Sequence, residues 1–308
     1  MMKSQKHFTE DEARDFVVRC EAEFEERLSS AVEKVCATEN LRLIALSGPT
    51  CSGKTTTAAK LIENMTKLGR KVHTVSIDDF YLDRDVLLAR MAGDPNATID
   101  YDSEETIDFD TLALCVEQIF ADVPAMIPKF DFIKGKRVGY TAFDPDEDDL
   151  FIFEGIQAIY PKVTELFSNH VYKSLYISVE SAIDVEGTVF QPNEIRLMRR
   201  LVRDYNFRGA SPEFTLYLWE SVRANEELNI FPYAVNCDYF INSAMPFEIN
   251  MLSPYLREIL AKVPADNKYH PTAVSMLEKL KGIDPISQSY ISDNSLYYEF
   301  LKRPGALK

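Results

Sequence analysis

Gly48-Pro49-Thr50-Cys51-Ser52-Gly53-Lys54-Thr55 fills every fixed position of the pattern GxxxxGK[ST], whose chemistry is the holding of phosphate. Glycines let the backbone curl so that successive N–H groups face phosphate oxygens. The helix expected to follow adds the positive end of its dipole. In such a loop Lys54 reaches the β- and γ-phosphates of ATP and the Thr55 hydroxyl ligates Mg2+. Gly48 to Thr56 is therefore the expected ATP-binding segment, with Cys51 read as a small tolerated residue within it.

Two acids stand where such a loop needs them. Ser76-Ile77-Asp78-Asp79-Phe80-Tyr81 and Phe151-Ile152-Phe153-Glu154-Gly155 each put a carboxylate at the end of an apolar run. In parallel α/β sheets the ligand site lies beyond the carboxyl ends of the strands. Asp78 is thus a candidate to orient and deprotonate an attacking hydroxyl, and Glu154 to hold Mg2+ directly or through water. Neighbours in extended chain point to opposite faces, so Asp78 and Asp79 are expected to differ in role. The bland alternative makes both turn or cap residues. Arg196, Arg199, Arg200 and Arg203 fall at i, i+3, i+4 and i+7, on one face of a helix, with Arg208 just before Gly209. Two readings stay open for that row: a mobile lid that closes its guanidinium forks on a phosphoryl group, or internal pairing with the chain's own acids.

The elements that must position these groups can be read from periodicity. Residues 41–47 (LRLIALS) form an apolar run suited to a buried strand, followed by the phosphate loop and a helical stretch, Thr55–Leu68, stopped by Gly69. Val72–Ile77, Leu150–Phe153 and Ser174–Val179 read as further strands. Strands separated by helical segments imply a parallel sheet with crossover helices. Residues 7–37 read as one acidic amphipathic helix, opened by a capping box of Thr9 and Glu12, with Phe16, Val17, Cys20, Phe24, Leu28, Val32 and Val35 at helical spacing. The stretches 92–110 and 144–149 read as loops, and beyond about residue 250 the chain is helical and mixed. The expected organisation is an N-terminal helical extension (1–40), an α/β phosphate-loop NTPase domain with a mostly parallel sheet and a helical lid (41–250), and a C-terminal helical appendage (251–308).

Composition narrows the function classes. With 308 residues, 46% of them hydrophobic, the chain can bury a sizeable core. A net charge of −15 argues against a nucleic-acid partner, because phosphate-backbone affinity comes from clustered Lys and Arg. The five cysteines show no metal or CxxC spacing, which points to a reducing, cytoplasmic setting. The polar N-terminus does not read as a signal peptide, and no apolar run reaches the length of a membrane span. Neither an NKxD guanine-reading motif nor an LSGGQ-type transporter signature is present.

Taken in order, Ser76–Tyr81, residues 128–137 (PKFDFIKGKR), Phe153-Glu154-Gly155 and residues 199–209 (RRLVRDYNFRG) resemble the phosphoribulokinase/uridine kinase family of phosphate-loop kinases over residues 41–250. The stretch 196–252, with Trp219-Glu220-Ser221-Val222-Arg223 and Phe231-Pro232, is similar to a bacterial uridine-kinase-like branch, here without the TGS module its members often carry. The resemblance implies that Asp78 is the base toward a sugar hydroxyl and assists Mg2+, with Glu154 also serving the metal. It implies that Arg200 and Arg203 act in catalysis, contacting substrate and phosphates, and that Arg199 and Arg208 belong to the ATP side. Tyr81, Phe130 and Arg137 would line the acceptor pocket, and Asp102 would take ribose hydroxyls. Three positions depart from uridine–cytidine kinases: an aromatic without a hydroxyl at Phe130, Gly135 where a base-reading histidine is expected, and Ala210 in place of an arginine. All three lie on the base-reading side. The expected activity is ATP- and Mg2+-dependent phosphorylation of a small-molecule hydroxyl, foremost the 5′-hydroxyl of a nucleoside. Another hydroxylated metabolite, such as a sugar phosphate or a pantothenate-like molecule, is the alternative, and a nucleotide switch without acceptor is the third reading. Self-association is left open.

Overall fold

Hydrophobic runs dictate the middle of this molecule, and the computed structural model, which describes residues 1–91 and 99–304, assembles them into one parallel sheet. In chain order the elements are β1 (Met2–Ser4), α1 (Glu10–Cys36), β2 (Leu43–Ser47), α2 (Lys54–Lys67), β3 (Val72–Ser76), α3 (Arg84–Arg90) and α4 (Phe109–Phe120). A hairpin of β4 (Ala125–Asp131) and β5 (Lys136–Phe143) follows, then β6 (Leu150–Glu154), α5 (Pro161–Phe167), β7 (Tyr172–Ser178), β8 (Ile183–Val185) and β9 (Thr188–Phe190). The chain continues through α6 (Pro192–Arg208), α7 (Pro212–Asn225), α8 (Phe231–Ala234), β10 (Tyr239–Asn242), α9 (Glu248–Leu260) and α10 (His270–Lys279).

The central sheet runs β10-β7-β2-β6-β3 with every pairing parallel. Its inner strands β2 and β6 are covered on both faces, which is why they read as unbroken apolar runs rather than as alternating ones. Alternation shows instead in what each residue touches. Ile44, Leu46, Ile152, Leu175 and Ile177 join a core with α1, α2, α6 and α9, whereas Leu43, Ala45, Phe151, Phe153 and Tyr176 join a second core with α4 and α5. The expected four strands are all present. The fifth, β10, and the hairpin were not anticipated, nor was the small sheet β1-β8-β9.

Helix α1 begins at Glu10, and the capping box of Thr9 and Glu12 is formed as expected. Its buried stripe packs into the same core as Ala58, Leu61 and Met65 of α2. The C-terminal residues do likewise: Leu296, Tyr297, Phe300 and Leu301 are fully enclosed in that core. Residues expected as N- and C-terminal additions therefore share one hydrophobic core with the helix that follows the phosphate loop. Among the described residues no helix is long and apolar enough to cross a membrane.

Candidate active site

The register brings the candidate groups to one edge. Leu46, just before the phosphate loop, pairs with Glu154, and Ser76, just before Asp78, pairs with Glu154 as well. The loop, Asp78 and Glu154 thus emerge together at the carboxyl ends of three adjacent strands. Gly48 is packed so closely that an added Cβ would lie 2.2 Å from the Ile177 carbonyl oxygen. Gly53 sits at φ +90°, and Cys51, a residue with a Cβ, is held at φ +59°. That left-handed conformation costs on the order of 1–2 kcal/mol for a non-glycine residue, so something must hold it.

Two arginines of α6 do. Arg196 Nε donates to the Thr50 carbonyl at 3.1 Å, and Arg199 Nη1 donates to the Cys51 carbonyl at 3.3 Å. Each is paired in turn: Arg196 with Glu226, and Arg199 with Glu248 through bonds of 2.7 and 3.0 Å. Arg199 and Glu248 are both 0% exposed. Burial alone would weaken the Arg199 guanidinium, yet Glu248 beside it holds its pKa above the ordinary value. With no free surface, Arg199 supports the loop through its carbonyl and has none left for a nucleotide in this arrangement. All five arginines pair with acids of the chain itself: Arg196 and Arg199 each with a buried glutamate, while Arg200, Arg203 and Arg208 all crowd onto the single buried carboxylate of Asp204. Burial, and then the like charge of Arg203, lowers the Arg208 guanidinium from its usual value. Positive charge here exceeds its protein partners, which suits an anion.

Thr55 at the start of α2 is exposed and Lys54 half-buried, as groups that meet a ligand should be. Ser52 Oγ is buried without a partner. The donor set on this edge, a threonine hydroxyl with the carboxylates of Asp78 and Glu154, is all hard oxygen, which fits Mg2+ held mainly by phosphate and water.

Asp78 and Asp79 lie in a 3-10 turn, Ile77–Phe80, and not in extended chain, but their side chains do diverge. Asp79 Oδ1 accepts the Phe130 backbone N–H at 2.9 Å and so ties β4 to the turn. Asp78 Oδ1 accepts the Tyr81 hydroxyl at 3.2 Å. Tyr81 is buried, with rings of Tyr101 and Phe130 at 5.3 and 5.7 Å. Asp102 is brought into the same neighbourhood. Burial, and then Asp100, raises its carboxyl from 3.8 to about 6, although Asn225 and Lys54 favour the charged form. Arg137 is committed elsewhere in the wall, donating to Asp108 at 2.8 Å and to Tyr140 at 3.0 Å.

Two amides that no motif signals complete this wall. Gln157, fully buried on the turn after β6, donates through Nε2 to the Tyr101 carbonyl at 2.6 Å and to the Tyr81 hydroxyl at 3.0 Å. The carbonyl partner fixes which end of the amide is nitrogen, so Gln157 fills a lone pair on Tyr81, whose single proton faces two acceptors, the Tyr101 carbonyl at 2.9 Å and Asp78 Oδ1 at 3.2 Å. Gln157 Oε1 and the Tyr101 hydroxyl remain buried without partners. Asn225 closes α7 beside Asp102, and a π-helical turn, Glu226–Ile230, follows it. At Gly135 the chain turns at φ +64°, and an added Cβ would meet the Arg84 guanidinium at 2.6 Å. The left-handed backbone there therefore disfavours any side chain. A separate groove of about 1040 Å³, lined by Arg42, Lys71 and Asp149, contains none of these residues.

Comparison with known proteins agrees with this geometry. Residues 43–247 match the model of the Phosphoribulokinase / Uridine kinase family. A uridine kinase of Staphylococcus carnosus is 26% identical over 172 residues, covering 56% of this chain and 72% of the relative. Uridine-cytidine kinase C of Dictyostelium discoideum is 25% identical over 174 residues, 56% of this chain but 32% of the relative. Other long relatives are likewise spanned for only 40% and 33% of their length. The solved structure of a proposed fructose transport system kinase from Silicibacter sp. TM1040 superposes with a TM-score of 0.51 at 20% identity, over 69% of this chain and 98% of its own, a likeness of fold. With two thirds of its length inside the family model and the phosphate loop, Asp78 and Glu154 gathered at one sheet edge, the chain belongs to the phosphoribulokinase/uridine kinase family.

Proposed function

We propose that this chain transfers the γ-phosphoryl group of ATP to a hydroxyl of a small molecule, foremost the 5′-hydroxyl of a nucleoside. The observation that carries the reading is the convergence of the phosphate loop, Asp78 and Glu154 on adjacent strand ends, in a chain of this family. Gly48 to Thr56 would cradle the phosphates, with Lys54 on the transferring group and Arg200, Arg203 and Arg208 supplying charge around it. Thr55, Asp78 and Glu154 would hold Mg2+, which would supply positive charge to offset the negative charge that develops in the transfer. Asp78 would receive the proton of the attacking hydroxyl. Tyr81, whose hydroxyl lies 3.2 Å from Asp78 Oδ1, would stand beside that carboxylate in the acceptor pocket.

On the acceptor side Asp102 would bind sugar hydroxyls, with Phe130 and Tyr81 as the apolar wall. The glycine at position 135, in place of a base-reading histidine, favours an acceptor other than uridine. A pocket lacking one such hydrogen bond gives up much of its discrimination. The test is ADP release from ATP and Mg2+ with a panel of nucleosides, sugar phosphates and pantothenate-like alcohols. One acceptor should stimulate turnover strongly, and Asp78→Asn should lower that stimulated rate at least a hundredfold while ATP still binds. Turnover independent of every acceptor and indifferent to Asp78→Asn would defeat the kinase reading. Uridine outpacing all others would defeat the acceptor assignment alone.

A further inference from the structure

The phosphate cradle already holds an anion, supplied by the far end of the chain. Glu299 Oε1 accepts the backbone N–H of Thr56 at 2.6 Å, across 243 residues of sequence. Thr56 is the third residue of α2, so its N–H is one of the free donors at the helix start that a phosphate would otherwise take. A carboxylate there is a charge-assisted acceptor of the same kind as a phosphate oxygen. It is not a stray contact. Leu296 Cδ1 lies 3.5 Å from where a Cβ on Gly53 would sit, over the loop itself. Tyr297 and Phe300 enclose the Arg199 guanidinium at 5.6 and 5.4 Å, and Asn206 Nδ2 donates to the Phe300 carbonyl at 2.9 Å. The positive charge of Arg203 faces Glu299 as well. The segment is thus fastened to α6 on one side and to the phosphate loop on the other.

We propose that Glu299 is a built-in occupant of the nucleotide site, a carboxylate that a nucleotide phosphate must displace from the Thr56 N–H and from the field of Arg203. The exchange is anion for anion. The Thr56 N–H keeps an anionic partner when the cradle is empty, and the C-terminal segment loses that fastening when it fills. Nucleotide binding is thereby coupled to the fastening of residues 296–301, and the ligand that does it is the polyphosphate chain, whatever base it carries. This inference rests on the nucleotide-binding half of the proposed function and not on the acceptor.

Two measurements on the full chain test it. In the first, ATP and inorganic tripolyphosphate are titrated into the wild type, Glu299→Ala and Glu299→Gln. Glu299→Ala should tighten both ligands about tenfold, or about 1.4 kcal/mol. Glu299→Gln, which keeps an oxygen for Thr56 but no charge, should gain part of that. In the second, hydrogen–deuterium exchange is followed in the wild type, where ATP should speed exchange across residues 296–301 while slowing it in the phosphate loop. Unchanged or weaker affinity in both variants, or undiminished protection of 296–301 on ATP binding, overturns the proposal. The second measurement stands even if a variant fails to fold. If no form binds ATP or tripolyphosphate, this inference and the proposed function fall together. Binding without acceptor-stimulated turnover removes only the phosphoryl transfer.

Discussion

On the α2 side of the central sheet, the phosphate loop is fixed by charge. Arg196 and Arg199 hold its carbonyls and are themselves locked by Glu226 and Glu248, and the whole assembly is buried. On the α4 side, the proposed acceptor wall is made of tyrosines, phenylalanines and neutral amides, with burial raising the carboxyls of Asp102 and Asp79. Buried charge pairs are unforgiving, since removing one partner strands the other. Neutral amides with orphan atoms are adaptable, since a ligand can complete them. The difference teaches how one scaffold can be rigid on its proposed phosphate side and adaptable on its proposed acceptor side.

If that is right, the largest effect on stability should come from the cradle. Arg199→Met leaves the enclosed Glu248 carboxylate without its guanidinium and releases the Cys51 carbonyl. The expected loss is about 3–5 kcal/mol in urea unfolding, with the slope of the transition unchanged. ATP affinity should fall in whatever protein remains folded, because the strained Cys51 conformation loses its brace. A loss below about 1 kcal/mol would show that the pair is not what holds the loop, and the comparison would fail on its stronger side.

What was legible in the sequence follows the same division. The phosphate loop, strands β2 and β6, and the capping box at Thr9 are local patterns, and each formed where its residues stood. The arginine row was legible as a face but not as pairs, because Glu226 and Glu248 lie 30 and 49 residues from their partners. Strand β5 carries almost no buried residues and so no apolar run, and β10 is only four residues long. The segment that ends at Leu301 is buried through short 3-10 turns, which impose no period on sequence. Gln157 and Asn225 are neutral amides in unremarkable surroundings. Only the fold, by setting β6 beside β3, shows that Gln157 meets Tyr81.

The acceptor wall gives a second, smaller test. Gln157→Leu preserves volume but takes from the Tyr101 carbonyl one of its two donors and from the Tyr81 oxygen its amide donor. Acceptor kcat/KM should fall about tenfold, or about 1.4 kcal/mol, consistent with one or two lost hydrogen bonds. The KM for ATP should hold, and Gln157→Glu should not rescue, since a carboxylate cannot donate to that carbonyl. An effect shared equally between ATP and acceptor would mean that Gln157 supports the sheet edge as a whole and that the two sides are not separable.

The smallest expected effect is also the one with a sign to check. Asp102 holds its proton up to about pH 6 in the folded chain, against 3.8 for an ordinary aspartate. Between about pH 4 and 6 the folded state therefore binds more protons at this site than the unfolded state does, and its contribution to stability falls as pH rises through that window. Asp102→Asn should flatten the slope and stabilise the protein at pH 7 by about 1–3 kcal/mol at most. Activity should respond in the opposite sense. If the ionised carboxylate binds acceptor hydroxyls, acceptor KM should rise as pH falls below about 6 in the wild type, and the inflection should vanish in Asp102→Asn along with most of the affinity. A variant that is more stable but binds acceptor less well is what a strained group kept for a ligand produces. A variant unchanged in both respects would mean that the strain at Asp102 serves the pocket's shape alone.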